Sequence, residues 1–195
     1  MKIWHIDSSA RLESSHSRKL TDYMVNKLKM KTKKEVTYRD VGSGEGLAYV
    51  NDNIVSALFI PEVERSTLQK KELEPSDELI KEAMTSDLWV IGVPIYNFSM
   101  PATLKTWADM LARVNVTFEY TEKGPQGLLR KKKVFVIITS GGTEIDSEID
   151  FLTPWLRQYM NFIGVGDLTI IKADKYSIDK ESILLTEIDK AVESV

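Results

Sequence analysis

A doubly wound α/β fold on a parallel sheet is what this sequence predicts, on three observations. Short β-branched and apolar runs alternate with segments of helical periodicity along the whole chain. Two of the runs, Leu88 to Val93 and Val134 to Thr139, are apolar throughout, as in strands covered on both faces. Repeated βα units require parallel strands with right-handed crossovers, because an antiparallel neighbour would need only a hairpin.

The elements follow in order. Lys2 to Ile6 is a strand that stops in a hydroxyl-rich loop, Asp7 to Ser17. From Ser17 the residues Leu20, Tyr23, Met24 and Leu28 recur at helical spacing, with Ser15 or Ser17 as N-cap. Glu35 to Asp40 reads as the second strand. Val41 to Glu74 is weakly patterned, with short helical segments around Ile54 to Phe59 and Val63 to Leu73, and is expected to leave the core. Pro75-Ser76-Asp77-Glu78 has the form of a helix start leading to Met84. After the strand Leu88 to Val93 comes a loop to Met100. A helix follows with Pro101 in its first turn and Leu104, Trp107, Ala108 and Leu111 as its buried stripe. Val116 to Tyr120 and the Lys123 to Gly127 turn form a hairpin or extended arm. The strand Val134 to Thr139, a helix from Phe151 to Phe162, a strand from Leu168 to Ala173 and a helix capped by Asp179 complete the chain. The expected fold is thus a flavodoxin-like five-stranded sheet, order 2-1-3-4-5, with helices on both faces and residues 1–195 forming one domain.

Composition narrows the function classes. A hydrophobic share of 43% is that of a globular domain. A net charge of -3 and a pI near 5.6 give no basic surface for nucleic acid. The absence of cysteine excludes disulfides and thiolate chemistry, and no stretch approaches the roughly 18 apolar residues of a membrane span, so a cytoplasmic protein is expected. His5 and His16 offer no metal-ligand spacing, and no metal is expected; His5 is read as a packed strand residue. Gly42-Ser43-Gly44-Glu45-Gly46 follows the wrong strand for a dinucleotide fingerprint and is expected to be a flexible loop. Arg130-Lys131-Lys132-Lys133 is expected to be a solvated turn, and Trp4, Trp89, Trp107 and Trp155 are expected in the core.

In a doubly wound sheet ligands sit outside the carboxyl ends of the strands where the order reverses, which directs attention to the loops after Ile6, Val93 and Thr139. Ser9, Ser15 and Ser17 stand at a helix N-terminus, where unpaired N–H groups favour a phosphate; a serine-rich cap with no ligand has the same pattern. Arg11 could reach an anion or be solvated. Pro94-Ile95-Tyr96-Asn97-Phe98-Ser99-Met100-Pro101 places two aromatics and an amide between prolines, suited to cover a planar ring such as an isoalloxazine or simply to pad the core. Ser140-Gly141-Gly142-Thr143 lets backbone approach a ligand closely, as would a plain turn.

These three loops, with Val116 to Gly127, make nearly the whole chain resemble the FMN-dependent NADH azoreductase family. The resemblance implies FMN contacts from Ser9, Ser15, His16, Ser17, Ile95, Tyr96, Asn97, Phe98, Ser140, Gly141, Gly142 and Thr143. It implies a homodimer whose substrate pocket, shared between subunits, includes Tyr120 and Phe162. It also implies a ping-pong, two-electron exchange between NADH and a small-molecule quinone or azo acceptor, with no protein side chain in an essential catalytic role. The alternative is a flavodoxin-like electron carrier that serves a protein partner. Two departures from the family pattern stand out: Asp7 in place of a common lysine, and Gly141 in place of an arginine after the serine. The first bears on the phosphate site, the second on substrate preference.

Overall fold

In the computed structural model, which describes residues 2–175 and 178–195, five parallel strands lie in the order β2-β1-β3-β6-β7. These are β1 (Ile3–Asp7), β2 (Val36–Asp40), β3 (Leu88–Pro94), β6 (Lys133–Ser140) and β7 (Asp167–Asp174). The expected order is reproduced, because β4 (Phe118–Thr121) and β5 (Gly124–Gly127) form a separate antiparallel hairpin.

The period-2 alternation of the strands sorts two cores. Ile3, Val90, Phe135 and Ile137 face α1 (His16–Thr32) and α6 (Ile178–Glu193). Trp4, Ile6, Ile91, Val136 and Ile138 face α3 (Thr67–Thr85), α4 (Ala102–Leu111) and α5 (Leu152–Ile163). Trp4, Trp89 and Trp107 are fully buried in the second layer, the first two edge to face at 5.0 Å. Trp155 is partly buried and stacks on Tyr159 at 5.0 Å. α6 includes Asp179, whose side chain lies outside the described residues.

Ser15, not Ser17, caps α1: its hydroxyl accepts from the Arg18 N–H. The segment expected to start a helix at Pro75 does not. α3 already begins after Ser66, where Ser66 and Gln69 form a capping box, and Pro75 lies inside the helix. Tertiary packing overrides the missing N–H, since Leu73, Ser76 and Leu79 are buried around it and Ser76 Oγ donates to the Met110 carbonyl at 2.7 Å. Before it stand α2 (Asp52–Leu58) and a 3-10 turn (Glu62–Glu64). Replacing Pro75 by alanine restores a helical donor without touching the core, so Pro75→Ala is expected to raise unfolding free energy by about 1 kcal/mol. A urea midpoint unchanged or lowered would contradict this. Pro101 is likewise the N-cap of α4 rather than a first-turn residue.

Lys132 corrects a second expectation. It is buried, and its Nζ donates to the Met84 and Ser86 carbonyls at 3.0 and 2.8 Å. The C-terminal carbonyls of α3 need donors, and burial pushes the ammonium pKa down. Only Arg130 and Lys131 behave as the solvated turn expected of all four.

Candidate FMN site

The crevice lies at the carboxyl ends of β1, β3 and β6, at the reversal of strand order. Its first compartment, about 350 Å³, runs from Ser9, Ser15 and His16 across Ile95 and Tyr96 to Ser140. A second, about 320 Å³, continues past Asn97 and Phe98 to Gly141, Gly142 and Thr143. Eleven of the twelve residues expected at FMN thus border one continuous space. Ser17 does not: it is buried beneath, its Oγ 3.2 Å from Ser15 Oγ.

The loops are bound to the sheet and to each other. Ser8 sends both its N–H and its hydroxyl to the Gly92 carbonyl, at 3.0 and 2.7 Å. Ser9 Oγ lies 3.2 Å from the Tyr96 hydroxyl, joining the first loop to the second. The Ile95 N–H donates to the Thr139 carbonyl at 2.8 Å, and the Phe151 N–H to the Phe98 carbonyl at 3.0 Å, joining the second loop to the third. Reciprocal bonds of 2.8 and 3.0 Å between Tyr96 and Ser99 close a tight turn with Asn97 and Phe98 at φ 49° and 70°. Two non-glycine residues in the left-handed region cost roughly 1–3 kcal/mol each, and such strain collects where a ligand is clamped.

Asp7 does not face this space. By strand alternation it shares the α1 side with Ile3 and His5, where it accepts from Thr21 Oγ1 at 2.8 Å and from the Tyr38 hydroxyl at 3.3 Å. Its carboxylate is therefore turned away from the serine loop. His5 is buried as expected, with Nε2 3.3 Å from Asp7 Oδ2 but outside hydrogen-bonding geometry. His5, Asp7 and Asp22 bring possible ligand atoms within 4.8 Å of one another, a juxtaposition that spacing along the chain did not reveal. The Arg18 guanidinium, 3.8 Å from the same Asp7 oxygen, already supplies positive charge there.

The donor set suits a phosphate-bearing planar cofactor. No carboxylate lines the first compartment among the described residues, whereas serine hydroxyls, the start of α1 and Arg11 do. A Cβ built on Gly141 or Gly142 would meet nothing within 4 Å, leaving room for a ring edge. Phe98 and Ile149 give the second compartment an apolar rim, of which Ile149 escaped the sequence reading for want of any motif. Tyr120 and Phe162 lie elsewhere. Both pack against Phe118, with ring centroids 5.4 and 4.4 Å away, and neither borders the crevice of its own chain.

Fold and crevice define a flavodoxin-like protein with an open crevice at the switch point. The sequence family described as a flavodoxin-like fold matches residues 1–195. A relative in Hahella chejuensis, FMN-dependent NADH:quinone oxidoreductase 1, is 46% identical over 184 residues, covering 94% of this chain and 89% of its own. The FMN-dependent NADH:quinone oxidoreductase of Pelagibacter ubique is 42% identical over 196 residues, covering 100% of both. The chain belongs to this flavodoxin-like family of FMN-dependent NADH:quinone oxidoreductases. Solved structures share the fold. The azoreductase from Bacillus anthracis str. Sterne has a TM-score of 0.86 at 24% identity, covering 100% of this chain and 98% of its own. An FMN-dependent NADH-azoreductase from Bacillus anthracis str. Ames Ancestor, in complex with FMN, has 0.87 at 21%, covering 100% and 99%.

Proposed function

We propose that this chain is an FMN-dependent NADH:quinone oxidoreductase that also cleaves azo compounds, working as a cytoplasmic homodimer built from one domain per chain. The observation that carries this reading is the continuous crevice between the Ser15-capped start of α1 and the strained Asn97-Phe98 turn. When bound, FMN supplies two-electron chemistry that takes hydride from NADH and delivers it to the acceptor.

The chain's own residues bind and orient. Ser9, Ser15 and the α1 N-terminus hold the phosphate, and Ser17 supports Ser15 from below. Ile95 and Tyr96 line one wall for the ring, with the Asn97 and Phe98 turn at its polar edge; Ser140, Gly141, Gly142 and Thr143 close the other side. Tyr120, 68% exposed on its hairpin, and Phe162, which packs on the same Phe118, are presented to a second subunit, so that each acceptor pocket is completed by the partner chain. Among the described residues no helix is long and apolar enough to cross a membrane.

The test is an anaerobic absorbance spectrum of the protein with FMN. NADH should bleach the flavin band and a quinone should restore it; bound FMN that NADH cannot bleach would favour an electron carrier. Gly141 gives a finer check. Its position is open and its φ lies outside the left-handed region, so Gly141→Arg should leave thermal stability unchanged while shifting KM for NADH or acceptor severalfold. A lowered Tm with unaltered KM would count against Gly141 facing the substrates.

A further inference from the structure

Behind the serine loop lies a guanidinium that borders neither compartment. Arg18 is 8% exposed, and each of its nitrogens is engaged. Nε donates to the Arg11 carbonyl at 3.0 Å, Nη2 to the Ser9 carbonyl at 2.7 Å and to Asp40 Oδ1 at 2.6 Å, and Nη1 to the Tyr38 hydroxyl at 2.7 Å. One planar fork thus fastens two carbonyls of the β1–α1 loop to the end of β2.

We propose that Arg18 is a positioning residue for the cofactor phosphate, holding the β1–α1 loop in its anion-receiving conformation without touching the ligand. The proposal rests on the FMN reading. Peptides are planar and none among the described residues is cis, so turning the Ser9 and Arg11 carbonyls toward Arg18 directs the N–H groups of Ala10 and Leu12 the opposite way. The carbonyl dipoles, which would repel a phosphate, are neutralised at the back of the loop. The same guanidinium balances Asp40 and Asp7, at 2.6 and 3.8 Å, two carboxylates whose uncompensated charge would act on a nearby dianion. Tyr38 completes the lock. Burial and the Asp7 carboxylate push its pKa up to about 12, so it stays protonated, accepting from Arg18 while donating to Asp7.

A loop that merely stabilises the fold would affect all flavins alike, whereas a phosphate-positioning loop separates FMN from riboflavin, which lacks the phosphate. Flavin-stripped full-length wild type, Arg18→Gln, Arg18→Lys and Tyr38→Phe are titrated with FMN and with riboflavin, following flavin fluorescence. Arg18→Gln should weaken FMN about 30-fold or more and riboflavin less than about threefold, because a buried charge-assisted network is lost on the phosphate side. Arg18→Lys keeps the charge but not the fork and should recover only part of the preference. Tyr38→Phe removes one anchor from a half-exposed residue and should lower the FMN-to-riboflavin preference about threefold with the fold intact by circular dichroism. If Arg18→Gln does not fold, Tyr38→Phe decides. Unchanged preference in the folded variants, or equal weakening of both flavins, overturns the role of Arg18 alone. A wild type that binds no FMN overturns the functional reading and this inference together.

Discussion

Gly42→Ala is expected to weaken FMN binding, lower stability, or both, by a combined amount of roughly 2–3 kcal/mol. A Cβ at this position would overlap the Ser9 carbonyl and approach Arg18 Nη2 to 2.8 Å. Neither can yield freely. The Ser9 carbonyl is held by that same guanidinium, and the Gly42 N–H is itself bound to the Asp7 carbonyl at 3.0 Å. If the loop stays in place, the strain appears as a lowered denaturation midpoint. If the loop shifts, FMN must drive it back, and about 2 kcal/mol then appears as a loss near 30-fold in affinity. Calorimetric titration together with urea unfolding measures both shares, and a sum near zero would show that the serine loop does not press on Gly42.

Gly127→Ala should cost about 3 kcal/mol, at the upper end of overpacking effects, and lower Tm by roughly 10 °C. Here the obstacle is backbone on both sides, because a Cβ would overlap the Gly164 nitrogen and Cα at the end of α5. Gly164 is the left-handed C-cap of that helix, with φ 98°, and cannot readily rotate away. The junction is stitched by the Leu128 N–H to the Thr117 carbonyl and the Leu129 N–H to the Ile163 carbonyl, both at 2.9 Å. The hairpin carrying Tyr120 would therefore be pried from α5, and differential scanning calorimetry reads the loss directly. A melting point within about 2 °C of wild type, less than 1 kcal/mol at this chain length, would mean that the contact is loose.

What the sequence disclosed and what it concealed divide along a physical line. The apolar runs at Leu88 and Val134 disclosed buried parallel strands because burial on both faces leaves a compositional trace. The loops at Ser9, Tyr96 and Ser140 were legible because the strand order dictates where a ligand can sit. Pro75 misled because a proline announces a local preference that the buried flank of α3 outweighs. Lys132 was misread as solvated because a carbonyl needing a donor leaves no mark in the sequence of the residue that supplies it. Gly42, expected in a flexible loop, is required by a neighbour 33 positions earlier, Ser9, and no local pattern encodes so distant a contact. Nothing in the sequence singled out Arg18, since four of its partners, Ser9, Arg11, Tyr38 and Asp40, are brought to it only by the fold.

The two hydrogen bonds from Ser8 to the Gly92 carbonyl also order events in time. β1 is the second strand of the sheet, flanked by β2 and by β3, yet β3 is made more than eighty residues after it. During synthesis the N-terminal βαβ segment can collapse early through local contacts, but one edge of β1 stays open until Leu88 to Pro94 has emerged. Until then Arg18 can tie the serine loop to the end of β2, but the loop lacks its anchor on β3. Nascent chains stopped before Gly92 would expose a hydrophobic strand edge and lack the Tyr96 and Ser140 sides of the crevice, so flavin can assist folding only late, by capturing loops that the third strand has already set.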